Sequence, residues 1–396
     1  AARRRRAKQR AMQLGSEALL ASSRLNGRRG GVLANPASVG HDFRHVTDVL
    51  SHSNRYKLTA IFGPQHGYRS DLQDNMIETP HTKDRRRNVP IFSLYSETRE
   101  PTKEMLDLID VLVIDLQDVG ARIYTFIYTM ANCLRAAARH GVPVIVCDRP
   151  NPIGGAQVEG PTLEPGFESF VGQFRMPMRH GLTIAELARL FNEHHGINAM
   201  LEVMPMQGWS RDMYWDATDL PWVMPSPNMP TLDTAIVYPG TVLYEGSMLS
   251  EGRGTTRPFE LIGAPWLDAD QLAERMNKVG LKGVHFRGVN FEPTFQKHAR
   301  VTCGGCQIHV TSREEFLPVK AGVSLLRECY GSAPDRFQWR DPPYEYEHDK
   351  MPIDILAGSP TLRQQIDSQV PLADIVASWR SGIAEFEEIR RNYLLY

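Results

Sequence analysis

Five short apolar runs punctuate the first 150 residues, at 31–35, 58–62, 89–93, 111–115 and 142–148, and each ends in polar residues. A strand with one wet face alternates apolar and polar side chains, whereas an unbroken apolar run marks burial on both faces, the condition of a parallel sheet clothed by helices. Helical periodicity lies between the runs, at 41–51, 102–109 and 123–140, the last stopped by Gly141. The alternation predicts an α/β fold built on a Rossmann-like, doubly wound, mostly parallel sheet. A further helix is expected over 183–195, opening on a capping box of Thr183 and Glu186 and ending at Gly196, with a strand after it at 201–206.

The pattern then changes. Residues 209–230 are rich in Pro and Trp and contain Pro225-Ser-Pro-Asn-Met-Pro230, which no regular helix can hold. This sets a boundary near residue 232, between an α/β domain over 13–232 and a smaller α+β domain over 233–396, with the active cleft between them. The second domain is expected to hold strands at 235–238, 284–291 and 306–310 and helices at 270–279, 317–330 and 375–390.

Composition narrows the function classes. Of 396 residues 42% are apolar, enough to bury full cores, which excludes wholesale disorder. The 45 Lys and Arg nearly cancel 46 Asp and Glu, so no global field draws in nucleic acid or an anionic membrane. One biased stretch, residues 1–12 with Arg3, Arg4, Arg5 and Arg6, reads as a solvated basic tail. No apolar run nears the ~20 residues that span a bilayer. Five sparse cysteines do not make a disulfide scaffold, and Cys303-Gly-Gly-Cys306 lacks the second pair of a zinc site and reads as a turn with two small buried side chains. Together with the lack of a secretory h-region, this points to a cytoplasmic protein, or a periplasmic or secreted one if a signal was removed before Ala1.

Ligands of an open parallel sheet bind beyond the carboxyl ends of its strands. The residues there are Asn35-Pro36, Gly63-Pro-Gln-His-Gly67, Ser93-Leu-Tyr-Ser96, Asp115-Leu-Gln-Asp118 with Val119-Gly-Ala-Arg122, and Asp148-Arg-Pro-Asn-Pro152. Jointly they predict one polar crevice. No phosphate loop, dinucleotide fingerprint, nucleophile elbow or HExxH is present, so no cofactor is implied. Ser250-Glu-Gly-Arg-Gly-Thr-Thr256 offers backbone donors, hydroxyls and a guanidinium fork, a receptor for a carboxylate or a sugar. Glu245 and Glu251 lie beside it, and Glu78 and Asp118 in the first domain. Carboxyl groups facing each other across a cleft are what glycosidic cleavage requires.

Gly63-Pro-Gln-His-Gly67, Gln73-Asp-Asn-Met-Ile-Glu78, Ile114 to Thr125, Asp148-Arg-Pro-Asn-Pro152, Pro225-Ser-Pro-Asn228, Tyr238-Pro-Gly-Thr241 and Ser250 to Thr256 resemble the NamZ-like exo-β-N-acetylmuramidases, over roughly residues 14–396. The resemblance implies a glycoside hydrolase that releases N-acetylmuramic acid from the non-reducing end of peptidoglycan fragments, in a cleft between a Rossmann-like domain and a smaller one. Its partner is a small carbohydrate, with no nucleic acid, membrane, metal or cofactor.

Family members carry Glu where this chain has Gln65, and that glutamate is their expected acid; an amide cannot donate a proton as a general acid. The acid therefore passes to Glu78, with Asp118 and Glu251 as further candidates. Asp118 is assigned as charge stabiliser or water activator and His66 as a polar partner. Arg122 and Arg253 are assigned to the lactyl carboxylate and Asn151 and Asn228 to sugar hydroxyls, with Asn35, Tyr124, Asp148, Glu251 and Thr255 completing the binding set. Two alternatives stand beside this: a muropeptide-binding protein that has lost catalysis at Gln65, and a metal-dependent hydrolase using His66, Asp115, Asp118 and Asp148.

Overall fold

The computed structural model describes residues 12–53, 55–69 and 77–396; the basic run at residues 3–6 and residues 73–76 of the motif ending at Glu78 lie outside them. Its first half holds β1 (Arg28–Ala34), β2 (Tyr56–Gly63), β3 (Thr82–Asp84), β4 (Val89–Ser93), β5 (Val111–Asp115), β6 (Val144–Cys147), β7 (Glu159–Thr162), β8 (Pro177–Arg179) and β9 (Leu201–Met204). Seven of these make one sheet in the order β3-β4-β2-β1-β5-β6-β9, while β7 and β8 pair separately. Every pairing in the large sheet is parallel except that of β3 with β4. All five apolar runs are strands, and the sheet is the doubly wound kind their burial on both faces implied. The three-residue edge strand β3 (Thr-Lys-Asp) carries no apolar signal.

Several helices are shorter than the periodicity suggested. The expected 41–51 helix is only Val46–Ser51, because His45 caps it by accepting from Thr47 N. The expected 102–109 helix shrinks to Lys103–Leu106. The 183–195 segment keeps its capping box but is α-helical only over Ile184–Arg189, continuing as a π turn at Leu190–His194. Helix Phe126–His140 starts three residues late, leaving residues 123–125 free to wall a pocket, and ends at Gly141 with φ 67°.

In the second half, β10 (Leu261–Ala264), β11 (Val284–Phe291) and β12 (Cys303–Val310) form an antiparallel sheet in the order β10-β12-β11. Cys303 and Cys306 lie inside β12, not in a turn. The expected strand at 235–238 is instead the middle of helix Leu232–Thr241. That helix is buried from Thr234 to Thr241, and an all-apolar buried helix has the same local pattern as a buried strand. It packs against helix Pro318–Ser332 so tightly that a Cβ on Gly240 would lie 1.9 Å from the Pro318 carbonyl oxygen. The expected 375–390 helix is two, Leu372–Ser378 and Arg380–Arg390.

The halves are not independent. One apolar cluster runs from Leu33 in β1 to Phe386 in the last long helix. Arg122, wholly buried, donates from Nη2 to the carbonyls of Leu356 (3.0 Å) and Ala357 (3.2 Å). The chain end returns to the first sheet: Tyr396 OH donates to Asp148 Oδ2 (2.6 Å) and Leu395 N to Glu186 Oε1 (2.8 Å). Among the described residues no helix is long and apolar enough to cross a membrane.

Candidate active site

The topological switch point lies between β1 and β5, where chain direction across the sheet reverses. The polar residues there are already spent on one another. Asn35 Nδ2 donates to the Gln117 carbonyl (3.1 Å); Arg149 donates to Asp115 Oδ1 (3.0 Å), Gln117 Oε1 (3.0 Å) and the Val39 carbonyl (2.7 Å). Asp148 caps helix Ile184–Arg189, accepting from Thr183 Oγ1 (2.8 Å) and Ala185 N (2.9 Å), and burial pushes its carboxyl up to about 7. Asn151 donates to the Leu182 carbonyl (3.0 Å) and accepts from Ile153 N in its own loop (3.2 Å). The polar crevice expected from five strand ends is thus largely closed by internal hydrogen bonds, which buried polar groups require.

The open pocket lies to one side, between the end of β2, the segment after β5, and a wall from the second half. After β2 the chain turns within Pro64–Gly67, with His66 at φ 69° and Gly67 at φ 84°. Left-handed backbone at a histidine is uncommon and costly, and here it turns the chain so that Gln65 is buried against the pocket. After β5, Asp118 Oδ2 accepts from Gly120 N (2.8 Å), setting a turn that delivers Ile123, Tyr124 and Thr125 to the wall. Thr125 occupies the N-cap of helix Phe126–His140 yet makes no cap bond; its hydroxyl donates to Gln65 Oε1 (2.7 Å). Tyr124 OH donates to Ser226 Oγ (2.8 Å), and Asn228 lies beside it.

The second half contributes Tyr238, Glu245, Arg253, Phe259, Tyr344 and Glu345. The cavity they enclose is narrow, about 50 Å³, and opens to solvent through a mouth. A chain of buried charges backs this wall. Lys297 Nζ donates to Glu251 Oε2 (2.7 Å), Arg253 Nε lies 3.4 Å from Glu251 Oε1, and Arg253 Nη2 donates to Glu245, whose other oxygen accepts from Tyr344 OH (2.6 Å). Burial opposes ionisation of Glu251, but Lys297 and Arg253 outweigh it and hold the carboxyl below its ordinary value. Arg253 Nη1 is buried with no hydrogen-bond partner among the described residues.

Glu345 differs from Glu245. Its Oε2 accepts from Tyr95 OH (3.0 Å) and its Oε1 lies 3.4 Å from Gln65 Nε2. Burial, helped by the nearby Glu245 and only partly offset by Tyr95 and Gln65, pushes its carboxyl up to about 7.

Of the residues singled out in the sequence, the pocket brings together Gln65, His66, Tyr124, Asn228, Glu245 and Arg253. Glu78 is not among them: its carboxylate is half exposed and paired with Arg99 at 3.1 Å. Asp118 lies beneath the pocket, 3.3 Å from buried His180. Arg122 is committed to backbone carbonyls, and burial lowers its guanidinium to about 10. Glu251 stands behind Arg253, and Thr255 donates back to the Gly252 carbonyl. Of the four groups in the metal alternative, Asp115 and Asp148 are held in the networks above. Among the described residues no cluster of three His, Cys, Asp or Glu side chains could hold a metal ion. The sequence reading missed Tyr238, Tyr344 and Glu345 as site residues. The signal for the last two was Pro342-Pro-Tyr-Glu-Tyr-Glu347, aromatic and acidic residues in a proline-bounded loop, away from any strand end of the first sheet.

Both halves of the chain are similar to known proteins. Residues 31–233 match the family model for the N-terminal domain of exo-β-N-acetylmuramidase NamZ, and residues 236–396 match that for its C-terminal domain. The peptidoglycan β-N-acetylmuramidase NamZ of Bacillus subtilis is 44% identical over 392 residues, covering 98% of this chain and 92% of that one. Two crystal structures from Bacteroides fragilis, both of domain-of-unknown-function family 1343, superpose with TM-scores of 0.88 (33% identity) and 0.75 (27% identity). Each alignment covers 97% of this chain and 99% of the other. With both halves matched and a relative this similar along nearly its whole length, the chain belongs to the NamZ exo-β-N-acetylmuramidase family.

Proposed function

We propose that this chain is an exo-acting glycoside hydrolase that releases N-acetylmuramic acid from the non-reducing end of peptidoglycan fragments. The observation that carries the reading is the buried, unsatisfied Nη1 of Arg253 on the wall of a pocket that also holds two buried carboxyl groups, Glu245 and Glu345. A buried donor without a partner is costly, and a ligand oxygen that accepts from it recovers that cost. N-acetylmuramic acid differs from N-acetylglucosamine by a lactyl carboxylate, an acceptor suited to a guanidinium. Lys297, Glu251, Arg253 and Glu245 sum to zero charge, so recognition rests on this directed hydrogen bond rather than on a positive field. The N-terminus of helix Phe126–His140, at the pocket rim, adds a favourable dipole. Tyr124, Ser226 and Asn228 supply polar partners for ring hydroxyls.

Cleavage needs one carboxylic acid to protonate the departing oxygen and negative charge to support the oxocarbenium-like transition state. The pocket offers carboxyl groups in two different settings, one bound to a guanidinium and one not. Five buried, unpaired thiols suit a reducing compartment, and the proposed place of action is the cytoplasm, on wall fragments brought into the cell. The test is release of a chromogenic aglycone from a β-N-acetylmuramic acid glycoside beside the N-acetylglucosamine analogue. Selective turnover of the muramic acid compound is expected. Equal rates on both would remove the role given to Arg253, and saturable binding without turnover would make the chain a binding protein.

A further inference from the structure

We propose that Glu345 is the proton-donating catalytic residue of this chain, and that Gln65 is a positioning residue that holds its carboxyl. The inference rests on the glycoside hydrolase reading of the pocket and adds to it the identity of the acid.

The geometry comes first. Gln65 and Glu345 approach the pocket from opposite halves of the molecule and meet there, Nε2 to Oε1, at 3.4 Å. The amide cannot turn freely, because its oxygen accepts from Thr125 Oγ1 at 2.7 Å. With that oxygen engaged, the NH2 group is the face left for Glu345. Tyr95 OH donates to the other carboxyl oxygen at 3.0 Å. The Glu345 carboxyl is thus clasped by two donors, as a group that must point in one direction is.

The backbone supplies a second, independent observation. Tyr344 and Glu347 exchange backbone hydrogen bonds at 2.9 Å in both directions, closing a two-residue turn whose central residues are Glu345 (φ 46°) and Tyr346 (φ 69°). Positive φ at both central positions is the type I′ pattern, which strongly favours Asn-Gly. Glu-Tyr is a poor choice for stability there. Strain of this sort persists where the side chain it presents has work to do. The residue presented is a carboxyl only 4% exposed, on the pocket wall.

The surroundings favour the protonated form at neutral pH. Glu345 faces Tyr95 and Gln65 from the first half and Glu245, Arg253 and Tyr344 from the second, with His66 lining the same pocket. Burial and the like charge of Glu245 outweigh the two donors and Arg253. Glu245, by contrast, is bound to a guanidinium and a phenol. Two carboxyl groups with environments pushed apart in this way divide into an acid and a charge partner. In the step itself the proton leaves the Glu345 carboxyl for the glycosidic oxygen as the C1–O bond breaks. That oxygen keeps the bonding electron pair and departs as a hydroxyl. Water adds its oxygen to C1, and its surplus proton restores Glu345.

The test compares wild type with Glu345→Gln on two β-N-acetylmuramic acid glycosides, one with a dinitrophenyl aglycone and one the natural disaccharide with N-acetylglucosamine. A dinitrophenolate leaves without protonation; a sugar hydroxyl does not. The variant is expected to lose roughly 10²–10⁴-fold in kcat/KM on the disaccharide and far less on the aryl glycoside. It is also expected to lose the alkaline limb of the pH profile. Tyr95→Phe and Gln65→Leu each remove one donor to the carboxylate, so each should move that limb to higher pH, and they decide the matter if Glu345→Gln does not fold. Equal losses on both substrates, a variant as active as wild type on the disaccharide, or limbs unmoved in both donor variants would overturn the inference alone. Wild-type inactivity on both glycosides would overturn it together with the proposed function.

Discussion

A carboxyl kept protonated by burial leaves a mark on stability that can be read without any substrate. The folded protein holds the Glu345 proton up to about pH 7, against an ordinary 4.5 for glutamate. Because the folded-state value is the raised one, the stabilisation is complete below pH 4.5 and is lost as pH rises through 7. At ~1.4 kcal/mol for each tenfold change in affinity, the loss comes to about 3 kcal/mol across that window. Glu345 is almost fully buried, so solvent screening takes little from this figure. Glu345→Gln keeps the shape and cannot ionise. Urea unfolding of both proteins from pH 4 to 9 should therefore give a stability difference that moves in favour of the variant by about 3 kcal/mol as pH rises. Asp148 and Glu159, also pushed up to about 7 by burial, titrate in both proteins and cancel in the difference. A difference constant with pH would mean that Glu345 is already ionised at neutrality, and the acid would have to be sought elsewhere.

Other outcomes follow from the same geometry. Arg253→Met leaves Glu245 buried beside Tyr344 without its cation, and should cost about 3–5 kcal/mol in urea unfolding as well as the preference for the muramic acid substrate. Glu78→Gln changes a half-exposed group that pairs with Arg99 outside the pocket, and kcat/KM on the disaccharide should not move. Gly240→Ala places a methyl against the Pro318 carbonyl and should lower stability by at least ~1–3 kcal/mol, visible as an earlier thermal transition. Deletion of Tyr396 removes a hydrogen bond to buried Asp148 and should cost about 1–3 kcal/mol by the same measurement.

The large sheet was legible because strands buried on both faces carry unbroken apolar runs, here residues 32–34 of β1, 60–62 of β2, 89–92 of β4, 111–114 of β5 and 144–147 of β6. Residues 235–238 misled for the same reason: a helix buried on every side loses its 3.6-residue signature, and only contact with helix Pro318–Ser332 distinguishes it from a strand. The site was half legible. Beyond β2, the sequence pointed correctly at Gln65 and His66, and the glycine-rich loop at Arg253. It also pointed at Asn35, Asp148 and Asn151, which have the same turn-forming, polar character but satisfy neighbouring backbone and side chains instead. Sequence pattern reports that a group is polar and where on a strand it falls; it does not report whether a partner already waits for it. Glu345 was invisible for a further reason, since it meets Gln65 across a separation of 280 residues, in a turn whose residues break the usual preference for its shape.

The bond from Tyr396 to Asp148 bears on the order in which the molecule can be made. A carboxyl at the end of β6 is synthesised early, and the hydroxyl that completes it comes 248 residues later. The partners of this buried carboxyl are therefore complete only after the second half has been synthesised, which ties closure of the first sheet to the presence of the second half.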